Sequence, residues 1–203
     1  MKTNFQLDQN YTFADYFKFN YEPEDILGYF GYELQLKNLI LPRYTGELDR
    51  LQSLQQRIEE SLPYISLTSE MARREFLIAP ILIDLSHYTQ AKLRVAYTIN
   101  ASNQLKGELD YYIQSQNNLL VIEAKNADLQ KGFTQLAVEL IALDRILETT
   151  ATLTPLQGAV STGNIWQFGI LDRQHKQITQ DLILYRVPTD LEELLRILVG
   201  ILK

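Results

Sequence analysis

The chain has 203 residues, of which 46% are apolar and 22% charged, a composition typical of one globular domain with a substantial core. Its formal net charge of -6 argues against a protein that holds nucleic acid by bulk electrostatics, and the absence of cysteine excludes disulfides and thiolate metal sites. Because the start of the chain lacks an apolar signal segment and no apolar run approaches the roughly 20 residues that span a bilayer, we expect a cytoplasmic protein that does not interact with membranes.

Residues 1–65 differ in character from the rest of the chain, because aromatic side chains are concentrated there. We favour an N-terminal extension that packs on the core through these rings. The alternative is a platform that stacks nucleobases, but few lysines or arginines lie among the rings. Alternating apolar and polar residues over 31–41 predict a strand, and apolar residues spaced by three and four over 48–62 predict an amphipathic helix.

Residues 66–203 predict a single α/β domain that begins with a helix. Thr68 or Ser69 is a suitable N-cap, and Glu70 falls in the first turn, where the helix dipole favours an anion. Pro80 should kink or divide this helix, since proline in a helix interior costs about 3 kcal/mol. A strand over residues 92–99 is predicted next.

A β-hairpin is predicted over residues 106–125, with its turn at Gln116 to Asn118. In its first strand Leu109, Tyr111 and Ile113 should share one face, and Asp110 should lie on the other. The second strand is apolar on both faces, as in the centre of a sheet, until Glu123 and Lys125 at its end. These two residues are two positions apart and so share a face, and simple pairing places Asp110 beside Glu123.

The remaining elements complete the α/β pattern. A helix with a buried apolar stripe is predicted from about residue 132 to 147, and Gln135 and Glu139 share its polar face. Strands are predicted within residues 156–171 and over 180–187, followed by a C-terminal helix. The apolar surface of this last helix is so broad that it should be buried either in the domain or in a homodimer interface.

Two neighbouring carboxylates and a lysine at the end of a central strand suit metal-assisted chemistry. Asp110 and Glu123 offer the hard oxygen ligands that Mg²⁺ prefers. Such an ion holds a phosphodiester oxygen and acidifies water, while Lys125 can orient that water or neutralise developing charge. The alternative explanation of the spacing is an ordinary salt bridge between Glu123 and Lys125 at a strand end.

Asp110, twelve intervening residues and then Glu123-Ala124-Lys125 resemble the motif of the PD-(D/E)XK nuclease superfamily, although Leu109 stands in place of its proline. The resemblance implies a restriction-endonuclease-like fold, with a helix, three strands, a helix and further strands. It also implies a nuclease that depends on Mg²⁺ or Mn²⁺ and acts on nucleic acid, with DNA the expected substrate.

A second similarity, to the nuclease-like domains of type I restriction subunits, covers residues 69 to about 187. Ser69-Glu70 followed by Arg74, and Thr162-Gly163 followed by a tryptophan, are similar to patterns in that family. The similarity implies that Glu70 reaches the metal site and that Gln135 supports it. The alternatives are that Glu70 is a surface residue favoured by the helix dipole, and that Gln135 and Glu139 are two ordinary exposed helix residues. Two functions therefore stay open: an active nuclease, or a catalytically vestigial nuclease fold that serves as a binding or assembly module.

Overall fold

The structure is a computed structural model and describes residues 9–116, 118–125, 128–147 and 154–203. The predicted turn residue Asn117 therefore lies outside the described residues. The helices are α1 (Phe13–Lys18), α2 (Pro23–Tyr29), α3 (Leu51–Ser61), α4 (Glu70–Arg73), α5 (Ala79–Thr89), α6 (Leu129–Leu147) and α7 (Leu191–Leu202). The strands are β1 (Glu33–Lys37), β2 (Lys92–Ser102), β3 (Leu105–Gln114), β4 (Leu119–Ala124), β5 (Leu156–Ser161), β6 (Ile165–Asp172) and β7 (Gln177–Arg186).

The described strands form one mixed sheet in the order β1-β7-β6-β5-β4-β3-β2. The pairs β1–β7 and β4–β5 are parallel, and the other neighbours are antiparallel. The predicted α/β class is confirmed. The aromatic-rich part of the chain also contributes to this sheet, because β1 forms its edge beside β7.

Helices cover both faces of the sheet and create two buried clusters. On one face, α6 packs with α1 and α2 against side chains such as Leu109 and Val121. On the other face, α3, α5 and α7 pack against side chains such as Tyr111 and Ile122. The apolar side chains of α7 are buried within the chain itself, which is the first of the two alternatives that the sequence left open.

The helical region before β2 is divided near Pro80, as predicted. Ser69 caps α4 by accepting a hydrogen bond from the backbone N–H of Ala72 at 3.1 Å. A π-helical segment, Arg74–Ile78, then connects α4 to α5, and Pro80 lies in the first turn of α5. The backbone stays helical from α4 into α5, so Pro80 lacks its N–H directly after the turns whose hydrogen bonds already depart from the α-helical pattern.

The expectation that Leu109, Tyr111 and Ile113 share one face is wrong. Leu109 belongs to the cluster on the α6 side, whereas Tyr111 and Ile113 belong to the cluster on the opposite face. The change occurs where Ala96 of β2, with a left-handed φ of 51°, lies across from Asp110 and the residue pairing of the two strands skips both positions. This local break orients Asp110 differently from a residue in a regular strand.

In the described parts of the chain, no helix combines the length and the apolar character needed to cross a bilayer.

Candidate active site

Asp110 lies at the end of β4, beside Glu123. Tyr111 pairs with Ile122 in the antiparallel ladder, so the preceding position on β3, Asp110, is opposite Glu123. The Asp110 side chain is fixed there because its Oδ2 accepts a hydrogen bond from the backbone N–H of Ala124 at 2.9 Å. The Asp110 carboxylate therefore lies at the end of strand β4, next to Glu123.

Glu123 and Lys125 point to the same face, and their side chains are in contact. Lys125 Nζ is 2.5 Å from Glu123 Oε1, and the Glu123 residue is only 1% exposed. The backbone N–H of Lys125 donates to the carbonyl of Ser161 at 2.8 Å, which ties the end of the motif to the neighbouring strand β5. The cation is therefore held rigidly within a mostly buried site.

Gln135 and Glu139 complete the buried polar group from α6. Gln135 Nε2 donates to Glu123 Oε1 at 2.6 Å and to Glu139 Oε1 at 2.9 Å. Both α6 residues are buried, so the alternative that they are ordinary exposed helix residues is wrong. Glu139 was not predicted as a site residue; the signal that could have identified it is its spacing of four from Gln135 within an otherwise apolar helix.

The carboxyl groups of Glu123 and Glu139 are strongly perturbed. Burial and then the charge of Asp110 raise the pKa of Glu123 to about 8, against the opposing effect of Lys125. Burial and then the charge of Glu123 raise the pKa of Glu139 well above its usual range. Both carboxyl groups accept a hydrogen bond from the same nitrogen, Gln135 Nε2, and two buried carboxyl groups so close together favour a proton on one of them. We place it on Glu139, because Lys125 contacts Glu123 directly.

Arg74 and Glu70 approach the site from the helical region before β2. Arg74 Nη1 donates to Asp110 Oδ1 at 2.9 Å, and its guanidinium lies 5.2 Å from the centre of the Tyr111 ring. Burial alone would lower the pKa of Lys125, but the charges of Glu123, Asp110 and Glu70 raise it on balance. The structure thus places Glu70 within electrostatic range of Lys125.

The carboxylates fit a magnesium ion that keeps most of its own water. In the described residues, no three histidine, aspartate, glutamate or cysteine side chains form a group that could hold a metal ion. Mg²⁺, however, is commonly bound by one or two carboxylates and completes its shell with water and phosphate oxygens. Glu123 Oε2 is a buried oxygen to which no described donor gives a hydrogen bond, and it is the kind of atom that a cation would satisfy.

A cleft of about 590 Å³ lies elsewhere, between β7 and the start of α7. Its acidic side chains are each paired with an arginine: Asp190 with Arg186 at 3.0 Å, Glu192 with Arg196 at 2.8 Å and Glu193 with Arg43 at 2.6 Å. The hydrogen bond from Arg186 lowers the pKa of Asp190, which is the opposite of the raised pKa of Glu123 at the end of β4.

Compared with known proteins, the chain matches no family model and no curated protein sequence. Its function is therefore inferred from the arrangement of its own residues.

Proposed function

We propose that the protein is a nuclease of the PD-(D/E)XK type that hydrolyses phosphodiester bonds with Mg²⁺ or Mn²⁺, with DNA as the expected substrate. One observation carries this proposal: Asp110, Glu123 and Lys125 come together at the end of a central strand, with Glu123 buried and Asp110 and Lys125 partly exposed. A buried carboxyl with a strongly raised pKa beside a second carboxylate is typical of functional sites.

The order of elements supports a restriction-endonuclease-like core. From α5 onward the chain runs through a helix, three strands, helix α6 and further strands. The parallel strands β4 and β5 are neighbours in the sheet and are joined through α6, which brings Gln135 against the end of β4. Residues of strand β4 and of the following helix α6 can therefore contribute to one site.

Each residue of the site has a distinct proposed role. Asp110 and Glu123 would hold the ion, which when bound supplies charge neutralisation on the phosphodiester and a more acidic water. Lys125, whose ammonium has no acceptor lone pair, would stabilise negative charge that grows in the transition state. Gln135 fixes the Glu123 carboxylate through its 2.6 Å hydrogen bond. Glu70, whose charge acts on Lys125, would be a further residue that reaches the metal site.

A second candidate is a nuclease-like fold without activity that serves as a binding or assembly module. The observation that favours it is that both carboxylates already have cationic partners within the chain, Arg74 on Asp110 at 2.9 Å and Lys125 on Glu123 at 2.5 Å. In an active enzyme, the arriving metal must compete with the Arg74 guanidinium. In a vestigial one, the two ion pairs would simply close the site.

The test is cleavage of end-labelled DNA and RNA with Mg²⁺, with Mn²⁺ and with a chelator alone. The matched variants are Glu123→Gln, which removes a proposed ligand, and Glu108→Gln, which removes an exposed carboxylate on β3. We expect metal-dependent cleavage of DNA by the wild type and by Glu108→Gln, and its loss in Glu123→Gln. Binding of DNA without cleavage under every metal condition would instead support the vestigial module.

A further inference from the structure

The N-terminal segment around α1 lies directly beside the proposed active site. It is held by the tip of the β2–β3 hairpin, where the Tyr16 hydroxyl donates to the carbonyl of Gln104 at 2.8 Å and the N–H of Tyr11 donates to the carbonyl of Asn103 at 3.1 Å. Phe13 and Tyr16, each 1% exposed, anchor α1 in the cluster that also contains α6. Hydrogen bonds to the β2–β3 turn and packing beside α6 thus fix the position of α1.

Phe17 differs from these anchoring residues because its ring faces a charge. The ring is partly exposed, and its centre lies 4.9 Å from Lys125 Nζ. A cation within about 6 Å of an aromatic face is attracted by the ring, and the attraction strengthens as water is removed. The Lys125 side chain is only 11% exposed, so this contact operates in a largely dry environment.

The Lys125 side chain is confined on several sides. Its ammonium is 4.9 Å from the centre of the Phe17 ring and 2.5 Å from Glu123 Oε1. Its stem runs so close to α6 that a Cβ atom added to Gly132 would lie 2.9 Å from Lys125 Cγ, well inside ordinary contact distance. Without Phe17, one side of the ammonium would open to solvent, and the long, flexible stem would regain rotamers that the site excludes.

We propose that the α1 segment completes the active site and that Phe17 is a positioning residue for Lys125. The inference rests on the proposed nuclease function, since it assigns Lys125 a role that needs a fixed ammonium. The aromatic-rich N-terminal segment then does more than cover the sheet, because the Phe17 ring fixes the position of the Lys125 ammonium. Nucleobase stacking is not required for that task.

The experiment uses the full chain with three substitutions. Phe17→Leu removes the ring but keeps an apolar side chain, and Phe17→Tyr restores a ring. Phe19→Leu is the matched control, because Phe19 packs edge-on against Tyr16 at a ring-centre distance of 5.4 Å. Each variant is checked for wild-type circular dichroism and cooperative unfolding before use.

Two readouts separate the inference from the nuclease proposal. The first is the extent of Lys125 acetylation by acetic anhydride, read by peptide mass spectrometry with the exposed Lys92 as internal reference. The second is the single-turnover rate of DNA cleavage, with DNA affinity measured separately in Ca²⁺. The first readout needs no enzymatic activity, so it remains decisive if the wild type fails to cleave.

Phe17→Leu is expected to increase the labelling of Lys125 and to lower the cleavage rate on the order of tenfold, with little change in DNA affinity. Phe17→Tyr should behave like the wild type in both readouts. The inference is overturned if Phe17→Leu leaves Lys125 labelling unchanged, or if Phe19→Leu alters both readouts to the same extent. A wild type that never cleaves would refute the nuclease function, while a labelling difference would still establish that Phe17 shields Lys125.

Discussion

Substituting Glu139 with glutamine should stabilise the folded protein at neutral pH. Glu139 is 0% exposed, and burial raises the pKa of its carboxyl well above the ordinary value of 4.5. The folded state therefore keeps a proton that the unfolded chain releases. Because the folded state binds more protons, the free energy of unfolding falls as the pH rises from about 4.5 toward the raised pKa of the folded state.

The size of this effect follows from the interval between the two pKa values. Each pH unit within it lowers the free energy of unfolding by about 1.4 kcal/mol. From the ordinary value of 4.5 to pH 7, a carboxyl that stays protonated in the fold would therefore cost about 3 kcal/mol. Glutamine keeps the shape of the side chain, can still accept the hydrogen bond from Gln135 Nε2 and has no proton to lose.

Urea unfolding at several pH values between 4.5 and 8 measures the effect directly. We expect Glu139→Gln to gain up to about 3 kcal/mol at pH 7 and to differ from the wild type by about 0.5 kcal/mol or less at pH 4.5. Glu108→Gln, at an exposed position of β3, should show no such pH-dependent gain. If Glu139→Gln is no more stable than the wild type at pH 7, Glu139 does not carry the proton and the charge assignment of the site is wrong.

Three further predictions concern the metal and the lysine. Millimolar Mn²⁺ should raise the melting temperature of the wild type in scanning calorimetry, because the ion binds only the folded site, and Asp110→Ala should abolish the rise. Arg74→Gln removes the 2.9 Å ion pair with Asp110, so in the presence of a chelator it should lower the free energy of unfolding by about 1–2 kcal/mol. In urea titrations with Mn²⁺, the same variant should be stabilised by the ion more than the wild type is. An unchanged response to Mn²⁺ would show that Arg74 does not compete with the metal. Gly132→Ala places a Cβ 2.7 Å from Val160 Cγ2 and 2.9 Å from Lys125 Cγ, so it should lower stability as well as slow DNA cleavage by about 10²-fold while calorimetric Mn²⁺ binding persists. Wild-type cleavage would show that the Lys125 stem adjusts without consequence.

Much of the fold could be predicted because it depends on local patterns. Alternating side chains identified β1 and β2, and the cost of a proline within a helix identified the division near Pro80. The left-handed backbone of Ala96 and the change of face between Leu109 and Tyr111 could not be predicted in this way. They occur where the pairing of β2 and β3 skips Ala96 and Asp110, and the periodicity of a single strand contains no information about its pairing with a neighbour.

The residues of the candidate site were likewise only partly predictable from the sequence. Asp110, Glu123 and Lys125 were predictable because strand periodicity and hairpin pairing together determine which side chains can meet. Glu139 was not, since a polar pair on a helix is compatible with an exposed face or a buried one, and only the packing of α6 on the sheet decides between them. Phe17 reaches the site from a separate element, so its contact with Lys125 depends on the tertiary packing of α1.

The most direct test of the proposed chemistry is single-turnover cleavage of labelled DNA by the wild type and by Lys125→Ala, with metal binding measured on the same preparations. The wild type should cleave with Mg²⁺ or Mn²⁺ and not with a chelator. Lys125→Ala should keep metal binding and lose about 10²–10³ in rate, the usual effect of removing a group that stabilises transition-state charge. Equal rates for the two proteins, or no cleavage by the wild type with any divalent ion, would contradict the proposed function.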